Sequence, residues 1–402
     1  MSIHTFVVAS AAIALGAQAP AQSPTASPAA PPAGQAPAAQ APATEALPRQ
    51  VAGGLEKVMT DALTPFTVAS SSHTPEVDAL VDDFPVYAPT DRKWSGTVRI
   101  VGSSTMAPLL NNLGIAFESI HEGLDIVVRQ GGSEVGIDEL CAGRADAAAE
   151  SRALPADQRR RIELATGRKV IEVAIALDGI CVFVHADNPV PSITKVHCNG
   201  IFSMTHTMTP VPVFRWSQVD PASPLKDEFI PIYVLNDRSG TMLAFRDWCM
   251  PGEPVTTAMR FIEPGPSSVV NACCAYPTAM GIAGLANAQP RARAVPIVAD
   301  SGGPAVAPSV KTVRDGSYPL WRPLSLVFLS TPEGTAPPAL ADLCRFALSE
   351  VGQDLVTSLG CVPPHLDRVP AEIGTVVGDA WVIPGASAPV DRPAAPQPAA
   401  KP

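Results

Sequence analysis

Three short runs combine hydroxyl side chains with glycine where a strand-like stretch gives way to a helix-like one: Gly102-Ser103-Ser104-Thr105, Gly131-Gly132-Ser133 and Ser239-Gly240-Thr241. At such a junction the first backbone N–H groups of the helix have no intrahelical acceptor, and the aligned peptide dipoles leave partial positive charge there. Glycine lets a ligand approach the backbone, and hydroxyls add neutral donors without the desolvation cost of a buried ammonium. One run alone reads first as an ordinary helix cap. Three in one chain predict a site where several helix N-termini converge on an oxyanion.

Other chemistry has little support in the residue pattern. No GxSxG, GxxxxGK[ST] or HExxH run occurs, and Cys273-Cys274 is a vicinal pair without a second pair at zinc spacing. Neither a metal nor another cofactor is expected. Asp146 and Asp178 are the carboxylates placed to act as general bases, yet both fall where capping of a strand or hinge is the simpler role. Arg159-Arg160-Arg161 reads as a solvated helix face.

The elements that would carry the three runs follow from hydrophobic periodicity, which alternates between strand and helix from about Thr97 onward and so predicts an α/β architecture. Val98 to Val101 reads as a buried strand, and Leu109, Leu110, Leu113, Ala116 and Phe117 continue with helical spacing. Leu124 to Arg129 is a second strand, followed by a helix through Ile137 and Leu140, and Ala145 to Ala149 is a narrow third strand ending in Ser151-Arg152. Val170 to Ala176 and Gly179 to Val184 are predicted as a strand pair. A helix from Thr194 to Ser203, a strand from Ile230 to Leu235 and a helix through Met242, Phe245 and Trp248 come next. Leu324 to Leu329 is a strand, and Pro337 to Ser349 and Gly352 to Gly360 are closing helices.

The chain has 402 residues, 28 basic and 38 acidic side chains and a net charge of −10. That acidic balance, with no concentrated basic face, speaks against nucleic acid or an anionic membrane as the main partner. The apolar stretch Phe6 to Leu15 followed by Ala17-Gln18-Ala19 is the layout of a secretory signal peptide, with cleavage after Ala19 or Ala21. Residues 1–21 are assigned to it, which predicts a periplasmic or secreted location. Residues 20–48 hold eight Pro and eleven Ala but one charge and no aromatic, so residues 22–48 are a linker unable to bury enough surface to order itself. Gly385 to Pro402 repeats that composition at the end of a C-terminal extension, 367–402. Residues 49–96 are an N-terminal extension anchored by Tyr87 and Trp94, and 97–366 form the body.

Within the body, Ser95-Gly96-Thr97-Val98-Arg99-Ile100-Val101-Gly102-Ser103-Ser104-Thr105-Met106 resembles the first strand and helix of the periplasmic phosphate-binding proteins of phosphate ABC transporters. Gly131-Gly132-Ser133-Glu134 with Gly143-Arg144-Ala145-Asp146 through Ser151-Arg152, Asp178-Gly179, Asn188-Pro189, Asn199-Gly200-Ile201-Phe202, Ser239-Gly240-Thr241 with Phe245, and Ser349 to Val356 with Gly360 and Pro363 continue the resemblance in order. The resemblance implies a two-lobe, type II periplasmic-binding-protein fold, with a first lobe of about 97–176 and 290–366 and a second of about 177–289. It implies a monomer that closes on inorganic phosphate or a similar oxyanion and delivers it to the permease of an ABC transporter, without being an enzyme.

Carried over by position, the resemblance places Ser104, Thr105, the N–H of Met106, Ser133, Ser151 with Arg152, and Ser239, Gly240 and Thr241 around the ligand. The chain departs from the pattern at two places. Leu235 stands where many relatives have arginine; Arg238 either substitutes from another angle or is a solvated loop charge. Arg152 stands where one branch has an aspartate that accepts the proton of hydrogen phosphate, so selectivity over sulfate is not secured. Because a bridge between lobes would lock the hinge, the cysteines predict at most one disulfide among Cys141, Cys344 and Cys361, two among Cys181, Cys198, Cys249, Cys273 and Cys274, and a free thiol in each lobe. Two alternatives stay open: a secreted phosphatase on the same scaffold acting through Ser104 or Thr105, and an envelope or matrix interaction protein whose oxyanion site is vestigial.

Overall fold

In a computed structural model of the chain, residues 80–365 are described, apart from 83, 90–91, 257–258, 262–264 and 300–301. The predicted leader, the Pro/Ala-rich linker, residues 49–79 of the N-terminal extension and residues 366–402 lie outside the described residues. The elements run β1 (Gly96–Gly102), α1 (Ala107–Ile120), β2 (Leu124–Gln130), α2 (Ser133–Cys141), β3 (Ala147–Glu150), α3 (Ala156–Thr166) and β4 (Val170–His185). They continue with β5 (Ile193–Thr194), α4 (Lys195–Phe202), β6 (Ile232–Val234), α5 (Gly240–Cys249), β7 (Met259–Phe261), α6 (Pro266–Ala275) and β8 (Met280–Gly284). Last come β9 (Ala292–Ala294), β10 (Ile297–Val298), α7 (Val310–Arg314), β11 (Trp321–Leu329), α8 (Pro338–Ala347) and α9 (Glu350–Ser358).

Two sheets share one strand. In the first lobe the order is β2-β1-β3-β11-β4, with β1 parallel to β2 and β3, and β11 antiparallel to β3 and β4. In the second it is β4-β8-β6-β7, with β9 also on β4. The 16-residue β4 serves both: Val170 to Gly179 pair with β11, and Ile180 to Val184 pair with β8. Where two strands were expected, the chain thus runs straight through. Asp178-Gly179 makes no turn because the Asp178 carboxylate is held in place by partners from β11 and from the end of β8.

Each lobe has its own core. In α1, Leu109, Leu110, Leu113 and Phe117 fall on one helical face and are buried with Ile100, Phe328 and Phe346. The second core gathers Phe183, Phe202, Trp216, Phe245 and Ile282. Burying each such large apolar side chain stabilises by about 1.5–3 kcal/mol, so each lobe has a substantial core of its own. Val295, Ile297, Val313, Tyr318 and Leu320 also belong to the second core. The sequence expectation assigns these residues, which follow about 290, to the first lobe; here β9 pairs with β4 and β10 with β5.

The part of the N-terminal extension that is described packs on the first lobe. The Tyr87 hydroxyl lies 2.7 Å from His121 Nε2, its ring meets Phe346 edge-on, and Trp94 Nε1 donates to the buried Asp342 at 2.9 Å. The expected disulfides are absent, since all eight cysteines are free thiols. Cys181, Cys198, Cys249, Cys273, Cys344 and Cys361 fill core positions as small apolar side chains.

Candidate functional site

The hydroxyl-rich junctions, far apart in sequence, come together where the lobes face each other. Thr105 Oγ1, ahead of α1, lies 3.3 Å from Thr241 Oγ1 in the first turn of α5. Ser133 opens α2, and its Oγ accepts the Ser151 N–H at 3.2 Å with the Ser151 hydroxyl 3.5 Å away. Gly240 closes the group from the second lobe so tightly that a Cβ there would collide with the hydroxyls of both Ser133 and Ser151. Gly132, at φ +92°, has the same constraint twice over, since a Cβ would also lie 2.8 Å from the Arg238 carbonyl oxygen.

Three helix N-termini thus point into one space. No side chain caps α1 or α2, while Ser239 caps α5 by accepting the Thr241 N–H at 3.3 Å. Glu134 is the acidic residue in these first turns, and it is paired with Arg152 at 2.7 Å. The positive dipole ends of these helices therefore face no unpaired carboxylate from their own first turns.

The predicted site residues divide. Thr105, Ser133, Ser151, Ser239, Gly240 and Thr241 are brought together, and Ser104 sits half-buried beside them. Met106 differs from expectation: its N–H already donates to the Ser103 carbonyl at 3.2 Å, closing the turn that starts α1, and its side chain is in the first core. Arg152, next to Ser151, is paired with Glu134 at 2.7 Å, with Gln158 at 3.2 Å and with Asp247 of the second lobe at 3.8 Å. Arg238 bridges to Asp138 on α2 at 2.6 Å with about half of its side chain exposed. Leu235 is buried in the second core. Both candidate bases are engaged: Asp146 holds the Arg99 backbone and guanidinium, and Asp178 holds Arg322 and the Leu285 N–H.

Sequence reasoning missed Arg322. It is 2% exposed, sits opposite Asp178 in the β4–β11 register, and donates through Nη1 to the Ser151 carbonyl and to Thr241 Oγ1, both at 2.9 Å. The signal was available: a lone charge in an otherwise apolar strand must be paired, and Asp178 is the matching charge in another. Glu150 was also missed. Burial pushes its carboxyl up to about 8, Arg152 pulls it down, and Glu134 and Glu172 push it up again.

A mixed sheet shared by two lobes, with helix N-termini meeting between them, defines a two-lobe ligand-binding protein. Residues 86–351 match the PBP superfamily domain, which is more than half of the chain, and the chain belongs to that superfamily. Among curated relatives, the phosphate-binding protein PstS of Pseudomonas aeruginosa is 25% identical over 270 residues, covering 67% of this chain and 83% of the relative. Protein SphX of Synechocystis is 27% identical over 312 residues, 74% of this chain and 90% of the relative. An ABC-type phosphate transport receptor from Vibrio cholerae superposes with a TM-score of 0.53 at 21% identity, covering 66% of this chain and all of the receptor. A Clostridium perfringens protein assigned as the substrate-binding protein of a phosphate ABC transporter, solved with phosphate bound, gives 0.54 at 23% identity, covering 67% of this chain and all of that one. These structural likenesses carry the fold.

Proposed function

We propose that this chain is a periplasmic or secreted solute-binding protein that captures inorganic phosphate between its lobes and hands it to the permease of an ABC-type importer. The observation that carries this reading is the meeting of Thr105, Ser133, Ser151, Gly240 and Thr241 from two lobes around three helix N-termini. A tetrahedral oxyanion is the ligand such a set of neutral donors and dipoles stabilises, because each oxygen finds an N–H or O–H without a mobile cation being desolvated. Similarity to phosphate-binding relatives supports the choice of phosphate. The hydroxyls bond to one another, to Arg322 and to backbone groups, an arrangement of donors aimed at an anion and not of a nucleophile with its base. We read the protein as a binder that leaves its ligand chemically unchanged.

The test is thermal unfolding of protein stripped of ligand by unfolding, dialysis and refolding, with 1 mM phosphate, arsenate, sulfate or no addition in a buffer free of phosphate. A dissociation constant near 1 µM stabilises by about 4 kcal/mol at that concentration, a shift of several degrees. Absence of a shift with every anion would overturn the reading, and turnover of p-nitrophenyl phosphate would replace it with the phosphatase.

A further inference from the structure

We propose that Arg322 is the positioning cation of the anion site: by donating to Thr241 Oγ1 it fixes that hydroxyl as a donor to the bound oxyanion, and through the Ser151 carbonyl it ties this setting to closure of the lobes. The inference rests on the phosphate reading of the site.

The geometry accounts for four of the five guanidinium N–H groups. Nε and Nη2 donate to Asp178 Oδ2 at 3.1 and 2.6 Å, and the two hydrogens of Nη1 serve the Ser151 carbonyl and Thr241 Oγ1, each at 2.9 Å. Arginine keeps its charge and offers no acceptor, so the direction of these bonds is not in question. The buried charge is compensated by Asp178, which is itself held by the Leu285 N–H at 2.9 Å. The planar fork is therefore locked, and Nη1 points where it does because Asp178 holds the other side.

Two consequences reach the ligand. The Thr241 hydroxyl has one proton and two lone pairs, and with one lone pair occupied by Arg322 its proton is left for an oxyanion that sits beside the pair of hydroxyls, Thr241 Oγ1 and Thr105 Oγ1, which lie 3.3 Å apart. An ionised phosphate oxygen only accepts, so a hydroxyl held in the donor sense is what it needs. The Ser151 carbonyl oxygen, beside the Ser133 and Ser151 hydroxyls, would repel an anion if left free, and Arg322 occupies it. Ser151 follows a first-lobe strand and Thr241 lies in a second-lobe helix, so these two bonds coexist only while the lobes face each other as they do here.

The experiment is phosphate titration calorimetry on wild type, Arg322→Lys, Thr241→Val and the double variant, with thermal unfolding of each in the absence of ligand. Lysine keeps the charge but cannot serve Asp178 and Thr241 together. Each single variant should bind phosphate at least about tenfold more weakly, and the double should bind no worse than the weaker single, because the part Thr241 plays depends on Arg322. Thr241→Ser, which restores the hydroxyl, should recover near wild-type affinity. A purely structural Arg322 would lower the unfolding temperature while its effect on affinity multiplied with that of Thr241→Val, and that result overturns the proposal, as does wild-type affinity in either single variant. If Arg322→Lys fails to fold, the contrast between Thr241→Val and Thr241→Ser decides, and equal affinity in those two rejects the assignment. A wild-type protein that binds no phosphate refutes the site reading itself, and this assignment with it.

Discussion

At the scale of single residues, Gly240 separates the needs of binding from those of folding. It lies in the first turn of α5, where alanine is the better helix former by about 0.5–1 kcal/mol, and its missing side chain is what lets Ser133 and Ser151 come within reach. Gly240→Ala should therefore leave the ligand-free protein as stable as wild type or slightly more so, since opening the lobes relieves the collision. Phosphate affinity should fall at least about tenfold, because the closed arrangement is then excluded. Calorimetry beside a melting curve reads both quantities, and a variant that binds as wild type would show that the lobes need not approach this closely. The hydroxyl and glycine residues of the site were legible in the sequence because helix N-termini have a local signature. Arg322 stands out in the sequence only as a lone strand charge, and its role was not read because its partner, Asp178, lies 144 residues away in sequence and is matched to it by sheet register.

At the scale of elements, the strands and helices with strong periodicity appear close to where the residues place them, such as α1 and β2, whereas β4 was read as two strands. A central strand buried on both faces has no alternation to follow, and its one Asp-Gly looks like a turn until its partners are known. The same sheet buries Glu150 on β3 opposite Ser325 on β11, with Glu172 of β4 and Glu134 and Arg152 nearby. Its carboxyl, raised from 4.5 to about 8, keeps its proton in the folded state over a range where the unfolded chain has lost it. The folded state then binds more protons between those values, so stability falls as pH rises from about 4.5 to about 8, by up to about 1.4 kcal/mol per unit, and levels off above. Glu150→Gln should remove this slope: relative to wild type, the variant should gain several degrees of unfolding temperature between pH 5 and pH 8. Parallel curves for the two proteins would mean that Glu150 is ionised in the fold.

At the scale of the molecule, the two-lobe architecture was legible because the order of the site motifs along the chain matches the way β4 carries the polypeptide from one lobe to the other. What composition misjudged is the cysteines. An even count in a chain with a leader-like N-terminus suggested bridges, but a thiol pairs only if it meets another with suitable geometry and can ionise. Six of the eight are buried, and burial pushes the Cys344 and Cys361 thiols far above their ordinary value, while burial and then the neighbouring Cys274 push Cys273 up to about 12. With so little thiolate available, exchange with an external disulfide is slow even in an oxidising compartment, and the folded state protects its own thiols. Cys141 is the exposed one and Cys274 is partly exposed. Titration with a thiol reagent should accordingly find eight groups per chain when the unreduced protein is unfolded in denaturant, and rapid reaction of no more than about two in the native protein. Fewer than eight in the unfolded sample would show that pairing occurs before the cores close, making the order of oxidation and folding, and not the geometry of the finished lobes, the determinant of cysteine state.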